Sequence, residues 1–248
     1  MKTALITGAS SGIGRATAVA LAEAGFQLVL TGRRQEKLAE LAQQLAPTPT
    51  HLLTFDVRDR AATEAAIASL PTEFQDIDVL INNAGNAHGL APIQDGDPAD
   101  WDAMLDGNVK GLLYVTRAVL PTMTRRQQGH IVNVGSIAGK EAYANGNVYC
   151  ASKAAVDSLT KGMRLDLLPH GIRVAEVNPG AVETEFSQVR FKGDQARAEK
   201  VYQGFEPLRA EDVADVIRFM VTRPPHVNIA EVLLLPTAQG SATTIQKG

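Results

Sequence analysis

Cysteine is nearly missing from this 248-residue sequence. Cys150 stands alone, so no intrachain disulfide forms, and neither a cysteine metal cluster nor an oxidising compartment is implied. It reads as a small helix residue. An excess of one charge is also absent: 24 Lys and Arg against 27 Asp and Glu leave a formal net charge of -3. That balance sets up no field for gathering polyanions, which argues against nucleic acid as a partner. No stretch of apolar residues is long enough to span a bilayer, so no membrane partner is expected. The start, MKTALITGAS, lacks the apolar core and small-residue cleavage site of a secretory leader, and the chain is expected in the cytoplasm. Five histidines, at 51, 88, 130, 170 and 226, fall at no spacing that builds a metal site, and no metal is expected. Aromatic residues make up only 5%, with a single tryptophan, Trp101, that reads as packing at a helix start.

What is present is an alternation of short apolar runs with longer segments of helical period. Strands are expected at Thr3 to Thr7, Gln27 to Leu30, His51 to Phe55, Val79 to Asn82, His130 to Val134, Arg173 to Asn178 and Val232 to Leu235. Helices are expected at Arg15 to Ala24, Gln35 to Leu45, Ala61 to Leu70, around Trp101 to Met123, Val148 to Leu168, and Ala210 to Val221. Strands joined by helical crossovers run parallel, because each return is too long for a hairpin. The expectation is therefore an α/β fold, a doubly wound parallel sheet of about seven strands with helices on both faces. No repeat or low-complexity linker interrupts it, so residues 1–248 read as one domain. The least regular stretch, 183–207, follows Asn178-Pro-Gly at a strand's C-terminal end, where open α/β sheets place their ligands, and reads as a substrate lid.

Between the first strand and first helix lies Gly8-Ala-Ser-Ser-Gly12-Ile-Gly14. Glycines there permit a tight turn whose backbone N–H groups, with the helix N-terminus, face a pyrophosphate. The end of the second strand selects the dinucleotide, since an acidic residue would hold a ribose hydroxyl and repel a 2′-phosphate. The residues are Thr31-Gly-Arg33-Arg34, and Arg33 falls close to the ~20-residue distance at which that selection is made. A guanidinium grips a phosphate bidentately, so NADP is favoured over NAD, although one of the two arginines can equally be a solvated charge opening a helix. Asp56-Val57, ending the third strand, either meets the adenine ring or, through Asp56, caps the following turn.

Tyr149 and Lys153 form an i, i+4 pair on one helix face. A phenol is a poor base at neutral pH, but a nearby ammonium and an oxidised nicotinamide favour the phenolate. Taken alone the pair is commonplace, and its company is what informs. Ser136 follows the strand Ile131-Val-Asn-Val, at the sheet edge where a hydroxyl meets a substrate oxygen, or else caps a turn. Asn82-Asn-Ala-Gly85 ends the fourth strand, and its asparagines either tie backbone groups near a cofactor or make a turn. Asn108, inside a helix, must bond a water or distort the backbone. His88 lies just past the Asn82 turn and is read as a loop histidine without a catalytic task.

Together, Thr7-Gly-Ala-Ser-Ser-Gly-Ile-Gly14, Asn82-Asn-Ala-Gly85, Asn108, Ser136, Tyr149-x-x-x-Lys153 and Asn178-Pro-Gly180-x-Val182-x-Thr184 resemble the short-chain dehydrogenase/reductase family over nearly the whole chain. The resemblance implies that Tyr149 is the general acid/base, that Lys153 holds the nicotinamide ribose and lowers the tyrosine pKa, that Ser136 orients the substrate oxygen, and that Asn108 supports a proton relay. It implies cofactor contacts from Gly8, Ser10, Ser11, Gly12, Ile13, Gly14, Arg33, Arg34, Asp56, Val57, Asn83, Ala84, Gly85, Tyr149, Lys153, Pro179, Gly180, Val182 and Thr184. Within the family, Thr31 to Arg34, Val189 to Asp194 and Pro225 to Ile229 look like the NADP-dependent 3-hydroxy acid (serine) dehydrogenases, whose relatives include sulfoacetaldehyde reductases. The expected substrate is a small anionic alcohol or aldehyde held by Ser136, Tyr149 and Arg190, with Lys192 either helping or standing exposed. Rival readings are a reductase of a bulkier neutral ketone and a dinucleotide-sensing protein without chemistry. Apolar residues beyond the Tyr149/Lys153 face of their helix suggest pairing between subunits, and the resemblance points to a homotetramer.

Overall fold

Apolar side chains face both ways along TALIT, LVLT and VLIN, the mark of strands covered on two sides. The computed structural model describes residues 1–248, the side chains of 198 and 199 excepted. The chain runs β1 (Thr3–Thr7), α1 (Gly12–Glu23), β2 (Gln27–Gly32), α2 (Gln35–Gln44), β3 (Thr50–Thr54), α3 (Arg60–Ala68), α4 (Thr72–Gln75) and β4 (Ile77–Asn82). It continues through α5 (Pro98–Leu105), α6 (Gly111–Arg126), β5 (Gly129–Val134), α7 (Asn147–Leu167), β6 (Ile172–Pro179), β7 (Val182–Glu183), α8 (Phe186–Arg190), α9 (Gln195–Tyr202), β8 (Leu208–Arg209), α10 (Ala210–Val221) and β9 (Glu231–Leu234). Seven strands form one parallel sheet in the order β3-β2-β1-β4-β5-β6-β9. The order reverses between β1 and β4, which opens a crevice at the carboxyl ends of those strands.

Alternation along each strand divides the core. Ala4, Ile6, Leu28, Leu30, Val79, Ile81, Val132 and Val177 meet Leu21 of α1, Leu38 and Leu41 of α2, and Val213, Ile217 and Met220 of α10. Leu5, Val29, Leu80, Ile131 and Val174 face the other way, against Val115, Val119 and Met123 of α6 and Leu167 of α7. The side chains at the centre of each layer are fully buried, and losing one such leucine to alanine costs about 2–5 kcal/mol.

The expected strands and crossover helices are all present, with ends shifted by a residue or a few, and three local features differ. The long helix around Trp101 to Met123 is interrupted by a π turn over Asp106–Lys110, centred on buried Asn108. The stretch 183–207 holds α8 and α9, and its two ends are tied by the short parallel pair β7–β8. The segment α4 sits between α3 and β4 with Phe74 buried under β2 and β3. No described helix is long and apolar enough to cross a membrane.

His130 stands in β5 at 1% exposure with neither ring nitrogen hydrogen-bonded. Burial, aided by the nearby Arg173 charge, pushes its pKa down to about 3. The imidazole is thus neutral in the fold while its unfolded counterpart gains a proton near pH 6.5, so stability is full above that pH and falls as pH drops toward 3. The slope expected from this one group is at most about 1.4 kcal/mol per pH unit. Urea unfolding of His130→Leu between pH 7 and 4 is expected to show a flatter decline than the parent; parallel curves would exclude His130 as the cause.

Candidate active site

The turn from Gly8 to Gly14 joins β1 to α1 at the crevice. Gly8 (φ 66°) and Gly12 (φ 51°) are left-handed, and a Cβ on Gly14 would lie 2.4 Å from the Gly8 carbonyl oxygen and 2.5 Å from Asn83 Nδ2. Only glycines let the helix start this close to the strand. Asn83 Nδ2 donates to Thr7 O (2.8 Å), and Thr7 Oγ1 accepts from the N–H groups of Asn83 (3.0 Å) and Ala84 (2.9 Å). The ends of β1 and β4 are thereby locked. No side chain caps α1 and no acidic residue sits in its first turn, so its positive end is free for an anion. Ser10, Ser11, Gly12 and Ile13 line a cavity of about 650 Å³, within the range of small-molecule sites.

At one end of the cavity Arg34 donates to Ser10 Oγ (3.2 Å) and pairs with Glu185 of the 183–207 stretch (3.0 Å). Arg33, 65% exposed, lies 3.8 Å from Asp56. Asp56 lines the cavity and also holds the turn that follows it: its Oδ1 accepts from the Arg58 N–H (3.0 Å). Burial works against ionisation of Asp56, but hydrogen bonds from Arg58 outweigh it and hold the carboxyl below its usual range. Arg58 also lines this end, a third guanidinium that the sequence reading passed over for lack of a motif. Three guanidinia at one mouth suit a phosphate.

Ser136, two residues past β5, opens a short 3-10 turn, its Oγ accepting from Ala138 N–H (3.1 Å) and its own N–H donating to Asn178 Oδ1 (2.9 Å). Tyr149 and Lys153 lie one turn apart on α7, both buried and both lining the cavity beside Ser136. Lys153 Nζ donates to Val134 O (2.9 Å). Burial pushes its pKa down to about 8, with the Glu176 charge opposing. Burial raises the Tyr149 phenol far above its usual value, Tyr143 adds to this, and Ser136 and Arg190 oppose it. The cation acting on the phenol is thus Arg190. Asn108 does distort its helix: Oδ1 accepts from Asn86 N–H (2.7 Å), and Nδ2 donates to Asn86 O (2.8 Å) and Ser152 Oγ (3.0 Å).

Above Tyr149 lies a roof from distant segments. The Arg190 guanidinium sits 5.6 Å from the Tyr149 ring and 5.5 Å from that of Tyr143, donating to Tyr143 Oη (2.9 Å), while Phe186 meets Tyr149 at 5.6 Å. Lys192 turns away to Asp100 (3.0 Å) and Asp97 (3.7 Å) and does not line the cavity. His88 does line it, and burial lowers its pKa. Val57, Asn83, Ala84, Gly85, Pro179, Gly180, Val182 and Thr184 all reach the cavity as well; among the residues expected at the cofactor, Gly14 stands behind its wall. Tyr143, Phe186 and the tail residues Gln239, Ala242 and Ile245 were not expected there. Gln239 Oε1 accepts from Ala181 N–H (2.8 Å), so the tail backs the Gly180 turn. No periodic or glycine signal marked those positions.

The short chain dehydrogenase family profile matches residues 2–195. The sulfoacetaldehyde reductase 2 of Chromohalobacter salexigens is 48% identical over 237 residues, covering 95% of this chain and 94% of that one. The NADP-dependent 3-hydroxy acid dehydrogenase YdfG of Escherichia coli is 46% identical over 239 residues, 96% of each. A solved structure of serine dehydrogenase, in its closed form with NADP+, superposes with a TM-score of 0.95 at 44% identity, covering 99% of both chains.

Because Asn108 satisfies Asn86 in both directions, Asn108→Ala is expected to leave half-buried backbone groups unpaired at a cost of about 1–3 kcal/mol in urea unfolding. A cost below about 0.5 kcal/mol would mean that water replaces the amide without loss.

Proposed function

The chain belongs to the short-chain dehydrogenase/reductase family, and on that premise we propose that it is an NADP-dependent oxidoreductase interconverting a small anionic hydroxy compound and its carbonyl partner. The observation that carries this reading is the convergence of Tyr149, Lys153 and Ser136, from two distant segments, beneath the Arg190 guanidinium. The residues present fit the cofactor. The glycine turn and uncapped α1 suit a pyrophosphate, Arg33, Arg34 and Arg58 suit the 2′-phosphate, and Lys153, Pro179, Gly180, Val182 and Thr184 line the end assigned to the nicotinamide. Bound NADP supplies or accepts the hydride at the substrate carbon.

Tyr149 Oη takes the alcohol proton in oxidation and returns it in reduction. Ser136 Oγ donates to the substrate oxygen and orients it. Lys153 holds the ribose and, as an ammonium, favours the phenolate together with Arg190. Asn108, through its buried bonds to Asn86 and Ser152, shapes the backbone behind Lys153 in a proton relay. Arg190 matches a carboxylate or sulfonate by charge-assisted hydrogen bonds, which accommodates both a 3-hydroxy acid and a sulfonated aldehyde. A neutral, bulkier ketone would leave that guanidinium without a charged partner, and an intact proton-transfer set has no use in a dinucleotide sensor.

The 183–207 stretch acts as a lid over one compact unit, residues 1–248, since it carries Arg190 and Phe186 over Tyr149 while β7 and β8 hold its two ends. Pairing between copies of the chain is supported by apolar side chains left outward, Leu165 and Leu168 near the end of α7 and Phe219 and Leu233 on α10 and β9, and the family resemblance extends that pairing to a homotetramer.

Initial rates with NADP and serine, 3-hydroxypropionate, 3-hydroxyisobutyrate or isethionate, against neutral alcohols, are expected to favour the acids; a neutral alcohol winning would overturn the substrate class. Tyr149→Phe is expected to lower turnover by ~10²–10⁴-fold with NADP affinity kept. If turnover survives, the acid/base assignment fails. Arg190→Ala is expected to raise KM for an anionic substrate by about 10- to 100-fold, the loss of one charged hydrogen bond, and to leave a neutral ketone nearly unaffected. Equal effects on both would remove the anion-recognition role.

A further inference from the structure

Behind Ser136, outside the cavity, lies a set of charges that the reaction as described does not use. Glu176 is 1% exposed in β6, paired across the sheet with Asn133 of β5 and Glu231 of β9. Lys140, just after the Ser136 turn, directs Nζ at Asp157 of α7, at Glu231 Oε1 (2.8 Å) and at Glu176 Oε2 (3.5 Å). Lys161 adds a second cation on Asp157 (2.7 Å). The carboxylates therefore close around an ammonium supplied by the chain. A buried carboxylate is costly unless charge and hydrogen bonds answer it, yet Glu176 Oε1 has no hydrogen-bond partner.

The position of that oxygen suggests why it is kept. A Cβ on Gly135 would lie 2.3 Å from Glu176 Oε1 and 2.1 Å from Asn178 Oδ1, so the two side chains fill the space behind Gly135. Asn178 Oδ1 takes the Ser136 N–H, and Gly135 N–H donates to Val177 O (2.8 Å). Val134, on the other side of Gly135, offers the carbonyl that receives Lys153 Nζ. A Cβ on Gly139 would lie 2.7 Å from Lys153 O, so the Ser136 turn also presses on the lysine's backbone. We propose that Glu176, clamped by Lys140 and wedged behind Gly135, is a positioning residue that sets where Ser136 and the Lys153 ammonium stand and supplies the lysine's counter-charge. The inference rests on the catalytic roles proposed above for Ser136, Tyr149 and Lys153.

The charged groups facing Glu176 are Lys140 from the turn, Lys153 and Asp157 from α7, and Glu231 from β9, with Lys161 held on Asp157. Burial raises the Glu176 carboxyl, while the Asn178 amide and Lys140 oppose the rise. Its negative charge in turn holds Lys153 up against burial. Removing that charge would let the lysine lose its proton at lower pH.

The test is Glu176→Gln, which keeps shape and removes charge, measured as full pH profiles beside Tyr149→Phe. Expected are a fall in kcat of about tenfold, a KM for NADP unchanged within about twofold, and an alkaline limb of kcat moved to lower pH. An unmoved limb with kcat within about twofold of the parent overturns the proposal, as does a loss that follows a lowered Tm with the limb in place. If Tyr149→Phe is inactive while Glu176→Gln behaves as the parent, only the positioning role falls; if Tyr149→Phe turns over, the site assignment itself falls. Should Glu176→Gln not fold, Lys140→Met carries the test, because releasing the clamp is expected to lower kcat by a similar factor with the KM for NADP kept, and an unchanged kcat overturns the proposal.

Discussion

Lys153 is buried to 7% exposure, and an ammonium withdrawn that far from water persists only where oxygen atoms replace the water. The oxygen that replaces it is the Val134 carbonyl of β5, and the Glu176 charge of β6 opposes the effect of burial. Those strands are neighbours in the parallel sheet, so the lysine's tolerance of burial depends on their register. Tyr149 is carried into the same buried space one helical turn away, and burial holds its phenol neutral although Arg190 opposes it. The arrangement places a proton donor and a partly destabilised ammonium together, which is the condition for moving a proton reversibly.

The two ends of the cavity are linked through the 183–207 stretch. Glu185 pairs with Arg34 at the arginine-rich mouth, and five residues later Arg190 lies over Tyr149, with its carbonyl accepting from Gly89 N–H (3.0 Å). Lys192 is spent on Asp97 and Asp100, so it anchors the stretch to α5 and leaves Arg190 as the cation facing the reacting groups. The exposed Arg34–Glu185 pair is worth little by itself.

Much of this was legible beforehand. Strand alternation, the glycine turn and the Tyr149/Lys153 spacing are short-range properties, each settled within a few residues, and the elements they predicted are present. The readings that stayed open were those that depend on a partner far along the chain. Asn108 was bound to distort its helix or bond water, and the partner that decided was the backbone of Asn86, some twenty residues earlier in the chain. The helices α8 and α9 escaped notice because short polar helices have weak periodicity and are held by contacts such as Ser187 to Tyr202 (2.7 Å).

The sequence by itself determined the architecture, the glycine turn between β1 and α1 and the one-turn spacing of Tyr149 and Lys153, because all three follow from side-chain period and local backbone freedom. Tertiary structure alone decided which charges act on them. Arg190 over Tyr149, Glu176 behind Lys153 and the tail against Gly180 join residues from separate segments. Electrostatic strength depends on distance and on exclusion of water, and neither exists until the sheet, the helices and the 183–207 stretch have closed around them.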